Sequence, residues 1–467
     1  MENLPILKEK KIKIIDIILF VLLFLWMIMP ILQTIKILYE KINLIDIYFG
    51  LMQVIGVVGI GISLYEIYNK IRYSESKKQT IKQLLPIFLF VAFMAWTLII
   101  CIKSPYKRTV YKGTLYRKEG YYMYLNYAGF FLCSFLLKSE KLRKILLNIF
   151  LISAIYLIAI SRLVLKNKGL EEIFVNTRVW RTVFAQFNHY GYFLMMCLTC
   201  NVGLFIKEKN KILKIIYLIT YAIIGYAMIY NDTFGCYLAT SVVLILYGIY
   251  SLIKKRDRKN ILILITIFVL LSCITTNKRG INLAYRNITE LASDMKVIIT
   301  KVTGIKFENS KKNNEEVLTK TETNQSSDEE DEEQKELEQV GTSRMLLWEC
   351  GIKFISKNPI WGYGPDNLGR EYILEGITRQ DRPHNLIIYL AGVSGIPGML
   401  IYITAVGIIV IKGLKKLILE NKEGTIYFLI VIAYLISSMF GNSMYYTSPY
   451  FFIFLGSLMK WNLEKKM

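Results

Sequence analysis

Two histidines serve 467 residues, and one of them, His384, stands where a polar loop runs into an apolar stretch. The order is Arg379, Arg382, Pro383, His384, Asn385 and then LIIYLAGVSGIPGMLIY. An imidazole titrates near neutrality and can take a proton from a hydroxyl. Guanidinium groups keep their charge and grip phosphate oxygens in pairs. Those two functions suit displacement of a diphosphate by a sugar hydroxyl, with arginine rather than a metal carrying the leaving charge. The side chains expected on the same side of a membrane are Arg178, Arg181, His189, Arg344, Asp366, Arg370, Arg379, Arg382 and His384. Each also has a plainer use: His384 as a helix-start anchor, His189 as a core residue, Arg344 as a snorkelling cation, Arg379 and Arg382 as loop charge.

Arg344 sits in the first turn of TSRMLLWECGIKFISKNP, which has Thr342 or Ser343 as an N-cap. Leu347, Trp348, Ile352 and Ile355 recur at helical spacing, and Pro359 and Gly362 stop the run. A helix spanning 343–357 is therefore expected, its apolar face on the membrane or the bundle. The charge of Arg344 gains nothing from the helix dipole there, but a helix start beside an arginine can seat an anion. Other chemistries find no support. There is no P-loop, no HExxH and no zinc set. The acidic residues of the apolar runs, Asp16, Asp46 and Glu66, lie near their ends, which argues against an ion-coupled carrier. A non-enzymatic transporter stays as an alternative.

These residues must be positioned by membrane helices. The chain is 54% hydrophobic and carries a net charge of +22. Its apolar runs reach the ~20 residues that cross a ~30 Å hydrocarbon core. Twelve spans are expected, at 14–38, 43–68, 84–102, 120–137, 145–163, 183–206, 215–231, 236–253, 261–276, 384–411, 425–443 and 449–460, all helical because lipid cannot satisfy an open backbone. Residues 1–467 thus form one all-α polytopic membrane domain with a long extracytoplasmic loop, 277–383, before the tenth helix. With both termini in the cytoplasm, the seven cytoplasmic segments hold 29 of the 58 Lys and Arg. This follows the positive-inside rule and places the chain in the cell membrane as a multi-pass protein. The basic charge then serves topology and anionic lipid, with no nucleic acid implied. No cleavable signal peptide is expected. Cys197 and Cys200 form a CxxC inside the sixth span, where small core residues are the expected reading.

The long loop holds two unlike parts. Residues 308–340 carry twelve Asp or Glu, four Lys and almost no apolar residue, so disorder is expected there. The 343–357 helix follows. Loop 103–119, KSPYKRTVYKGTLYRKE, carries six Lys or Arg and three Tyr. It reads as solvated surface or as an approach for an anionic saccharide. Gly50, Gly56, Gly59 and Gly61 in the second span, and Gly392, Gly395, Pro397 and Gly398 in the tenth, permit close helix approach or a kink.

In this order the residues resemble the O-antigen ligase/polymerase superfamily of bacterial surface polysaccharide assembly. The resemblance is carried by Ser343-Arg344 … Trp348, then Asn358-Pro-Ile-Trp-Gly362-Tyr-Gly364, then His384-Asn385, then Gly392-Val-Ser-Gly-Ile-Pro-Gly398. Phe187-Asn188-His189 resembles the family's opening of a middle helix. The resemblance implies a GT-C-like fold and metal-independent inverting transfer of glycan from an undecaprenyl-diphosphate donor, with no cofactor. Residue by residue it implies His384 as base and Arg344 as diphosphate clamp. Arg181, Arg379 and Arg382 are candidates for the remaining charge, and Asn188, Trp348, Gly362, Gly364 and Asn385 for support. It implies as partners a lipid-linked oligosaccharide and membrane lipid, with flippase and chain-length regulator proteins beside them. One departure stands out: Asn231-Asp-Thr-Phe-Gly235 places Phe234 where the family's ligases carry a second Arg. With a composition rich in Ile, Lys and Asn, hinting at a Gram-positive source without lipid A, this favours a polymerase. A ligase passing finished polymer to a wall or lipid acceptor is the alternative.

Overall fold

The computed structural model describes residues 4–41, 44–175, 179, 181–275, 282, 285, 289, 342–377, 380–420, 424–442 and 444–464. The regular structure among them is helical. In order the helices are α1 (Leu4–Leu32), α2 (Lys36–Lys41), α3 (Leu44–Arg72), α4 (Lys77–Lys103), α5 (Lys107–Lys112), α6 (Tyr121–Leu136), α7 (Glu140–Lys166) and α8 (Phe187–Lys207). They continue as α9 (Lys211–Asn231), α10 (Phe234–Lys254), α11 (Arg258–Ile274), α12 (Thr342–Lys357), α13 (Gly369–Leu374), α14 (Leu386–Glu420), α15 (Gly424–Ser437) and α16 (Ser448–Leu463). Polar residues start several of them. Ser76, Ser139 and Asn210 accept from the N–H groups of Gln79, Leu142 and Ile212, satisfying donors that a helix start leaves open.

Each of the twelve expected spans lies on one of these helices. Eight are long and apolar enough to cross a membrane: α1 from Ile14, α3 from Asp46, α4, α7, α8, α9, α10 and α14 to Leu419. The other four, α6, α11, α15 and α16, hold 14 to 17 residues. Their rise of about 21 to 26 Å is less than a ~30 Å core. Several boundaries move; the sixth span starts at Phe187 rather than 183 and the eleventh ends at Ser437 rather than 443. The first span ends at Leu32 rather than 38, where the chain turns and Ile35 bridges Phe174. The tenth begins at Leu386 rather than 384 because Asn385 caps it.

Helix α6 packs between α3 and α16. A Cβ on Gly59 would lie 2.4 Å from the Gly129 carbonyl oxygen, so α3 and α6 meet backbone to backbone. Gly50 and Gly61, expected to share that role, have nothing within 4 Å of such a Cβ. Helix α8 is central: His189 through Ile206 are buried without a break, Cys197 and Cys200 among them.

Helix α12 packs on α14. Its buried side is Leu347, Gly351 and Phe354; Leu347 and Phe354 join Leu368, Tyr372, Tyr389 and Val393 in a separate apolar cluster. Ile352, expected on that face, is 58% exposed. The stripe runs i, i+4, i+7, and a residue one step past Gly351 lies about 100° off it. The acidic tract 308–340 lies outside the described residues.

Candidate active site

The two glycine-bearing motifs form a single structure. Gly395 adopts φ 68°, which interrupts α14, and Pro397 has no N–H to give the Val393 carbonyl. Gly364 N–H donates to that carbonyl (2.9 Å), Tyr363 N–H donates to Gly392 (2.8 Å), and Ile396 N–H donates to Pro359 (2.8 Å). The helix break and the Pro359–Gly364 segment therefore satisfy each other's backbone groups. A Cβ on Gly395 would sit 1.9 Å from the Ile360 carbonyl oxygen, and one on Gly362 2.6 Å from that of Gly392. Trp361 stacks on Trp96 at 4.9 Å, and the Trp96 indole donates to the Ser394 carbonyl (2.9 Å). The support expected from Gly362 and Gly364 is thus backbone docking.

A buried ion network ties loop 103–119 to residues 366–382. Arg382 is 2% exposed and donates to Glu119 (2.6 Å) and Asp366 (2.7 Å), with its guanidinium 4.5 Å from the Tyr389 ring centre. Asp366 also accepts from Thr114 N–H (2.6 Å) and Oγ1 (2.9 Å). Glu119 accepts from Tyr127 (2.5 Å). Beside this set, Arg117 forks onto both oxygens of Asp381 (2.7 and 2.8 Å). Burial pushes the Glu119 carboxyl above its ordinary range, with Arg382 pulling against it. Burial acts the same way on Asp381, but there Arg117 outweighs it and holds the carboxyl low. Arg382, expected as a phosphate ligand, is engaged by Glu119 and Asp366. Its two terminal nitrogens each face a buried carboxylate.

His384 follows directly. It has φ 51°, an uncommon backbone for a non-glycine residue; Asp366 (54°) and Lys118 (51°) share it nearby. Its Nε2 lies 3.2 Å from Gln380 Oε1 and 3.1 Å from Asn442 Nδ2. If Nε2 carries the proton it donates to Gln380 and leaves Nδ1 as the lone pair; if Asn442 donates, Nε2 is the acceptor. A cavity of about 200 Å³ adjoins the ring, lined also by Arg117, Asn188, His189, Gln380 and Asp381. The chain's two histidines therefore share one cavity, and Asn188 lines it too. Burial, then the charges of Arg344 and Arg117, lower the His384 pKa to about 3, against the pull of Asp381. Where the sequence suggested a near-neutral value, burial and these two charges favour the uncharged imidazole.

Arg344 lies close enough to bias His384, and its guanidinium rests 4.5 Å from the ring centre of Phe234. Phe234 is itself buried and packs edge-on against Phe440 at 5.7 Å. The residue that replaces an expected arginine thus serves as a platform for another. Asn385 acts as a helix cap, its Oδ1 accepting from Ile387 (3.0 Å) and Ile388 (3.2 Å) N–H, its Nδ2 donating to Met439 (3.3 Å). Trp348 is half-buried in α12. Arg181 is half-buried in the turn before α8, its carbonyl accepting from Phe184 N–H (3.0 Å). Arg370 stacks on Tyr106 at 4.0 Å. Arg178 and Arg379 lie outside the described residues. Sequence reasoning missed Arg117, Glu119, Gln380, Asp381 and Asn442. The available signals were the lone Glu119 closing a basic loop and Gln380 four residues before His384.

These features define a helical multi-pass membrane protein with an uncharged imidazole held beside arginine at one end of the bundle. Residues 219–403 match the family model described as O-antigen ligase. This match supports the resemblance to the O-antigen ligase/polymerase superfamily, and Arg344, His384 and both glycine motifs lie inside it. No curated protein matches the chain.

Proposed function

We propose that the protein is a polymerase of bacterial surface polysaccharide. It transfers glycan from an undecaprenyl-diphosphate donor to a hydroxyl of a lipid-linked acceptor. The observation that carries this reading is the neutral His384 imidazole in a cavity biased by Arg344. The acceptor oxygen attacks the anomeric carbon and forms the new glycosidic bond. The bond from that carbon to the diphosphate oxygen breaks, and the electron pair leaves with the lipid diphosphate. The hydroxyl proton passes to His384. One displacement inverts the anomeric centre.

A base with a pKa of about 3 is weak, and the geometry offers a remedy. A bound diphosphate beside Arg344 cancels much of the field that depresses the imidazole, so donor binding raises its basicity. Arg344 carries the leaving charge in this reading, with Arg181 as the second cation in the place that Phe234 does not fill.

The test is His384→Ala in the native strain, with surface polysaccharide and lipid-linked intermediates resolved on gels. A polymerase without its base accumulates single repeats at normal protein level, with transfer reduced roughly 10²–10⁴-fold. Long lipid-linked polymer instead would identify a ligase. Unchanged chain length would end the reading of His384 as base.

A further inference from the structure

A second and larger cavity, about 430 Å³, adjoins the His384 cavity across a wall made of Tyr116, Gln380 and Asp381. We propose that it is the seat of the acceptor saccharide, a neutral glycan whose terminal hydroxyl is presented past Gln380 to His384. This deepens the polymerase reading and rests on it for the direction of transfer.

The lining points to this class of ligand. Tyr106 and Tyr116 offer aromatic faces, and Thr109 and Asn367 offer hydroxyl and amide groups. Flat apolar faces interleaved with neutral donors and acceptors match the two faces and the rim of a sugar ring. The carboxylates in the wall are already matched, and the exposed Arg370 of the lining lies over the Tyr106 ring. Asp366 is held by Arg382 and Thr114, and Asp381 by the fork of Arg117. Its lining holds one cation outside these pairs, Arg370, whereas two cationic fields, those of Arg344 and Arg117, act on His384 in the smaller cavity. Tyr106 is set in place by Arg370, whose guanidinium lies 4.0 Å from its ring centre. Gln380 joins the two cavities: it lines both, and its Oε1 is 3.2 Å from His384 Nε2.

The experiment uses the full chain in lipid nanodiscs. The probe is the repeat-unit oligosaccharide released from the strain's own surface polymer by mild acid and freed of phosphate. Binding is followed by saturation-transfer NMR and titration calorimetry. Tyr106→Ala, which removes a platform, and Thr109→Trp, which fills the cavity, each weaken binding about tenfold, a loss of roughly 1.4 kcal/mol. Both cavity variants are checked by size exclusion, and Arg370→Ala, an exposed change, gives a third reading if either fails to fold. Wild-type affinity in the folded cavity variants overturns the proposal. So does competition by inorganic diphosphate, or an unaltered protein that binds no oligosaccharide. Transfer retained in His384→Ala would overturn the base, not this seat, because binding is read without turnover.

Discussion

Arg382→Met separates a strut from a ligand. Arg382, Glu119 and Asp366 have side chains only 2–3% exposed. Methionine keeps much of the stem's volume but withdraws the charge, leaving two carboxylates buried without their cation. Breaking such a pair from one side costs about 3–5 kcal/mol. Loss of the contact with Tyr389 adds about 0.5–2 kcal/mol. The midpoint of thermal unfolding should then fall on the order of 5–10 °C. The triple variant Arg382→Met, Glu119→Gln, Asp366→Asn removes the stranded charges and should recover at least half of that loss. Fluorescence-detected size exclusion after a temperature ramp, on detergent-solubilised protein, measures both. The deficit should also shrink toward pH 5. Glu119 already titrates high through burial, and without Arg382 it takes a proton more readily, so falling pH neutralises the stranded charge in the folded state. An Arg382→Met protein with an unaltered midpoint but a tenfold higher donor KM would refute this, and Arg382 would be a phosphate ligand after all.

Three further outcomes follow from the same geometry. With the His384 pKa lowered to about 3, the base stays in its active, unprotonated form as pH falls. The pH profile of kcat/KM should therefore show no imidazole limb between pH 8 and 5, and Arg344→Gln should move that limb upward toward 6.5; a limb near 6.5 in the unaltered enzyme would contradict the reading. Phe234→Leu keeps most of the buried volume but removes the aromatic face under Arg344, so the donor KM should rise about three- to tenfold with little change in thermal midpoint; Phe234→Tyr should restore it. Gly395→Ala places a Cβ 1.9 Å from the Ile360 carbonyl at φ 68°, whereas Gly61→Ala meets open space. The first should abolish folded protein on size exclusion, and the second should be silent.

The helices were legible because their signal is composition summed over a span: each expected apolar run lies on a helix. Their ends were less so, since a cap such as Asn385 is decided by which N–H groups one side chain reaches. Arg344 and His384 could be singled out by residue type and setting. The ion network could not. Arg117, Glu119 and Asp381 are ordinary loop residues until a fold brings positions some 260 apart within 3 Å. The same long-range pairing explains why Arg382 read as a phosphate ligand: sequence displays its charge and hides its partners. Phe234 read only as a missing arginine, and its use as a platform needed the place of Arg344.

The mutual backbone bonding of Pro359–Gly364 with Gly392–Ile396 has a consequence for how such a protein diversifies. The chain between those segments is a contour pinned at both ends, and Asp366, Gln380, Asp381, Arg382 and His384 all lie on it. Residues added or lost around α13 reshape the larger cavity while both ends stay where they were. His384 lies two residues before α14 and eight before the second pin, so its place follows the helix start rather than what the contour does upstream. A lineage can thus reshape that cavity by editing one short tethered stretch while His384 and the helix break stay in place.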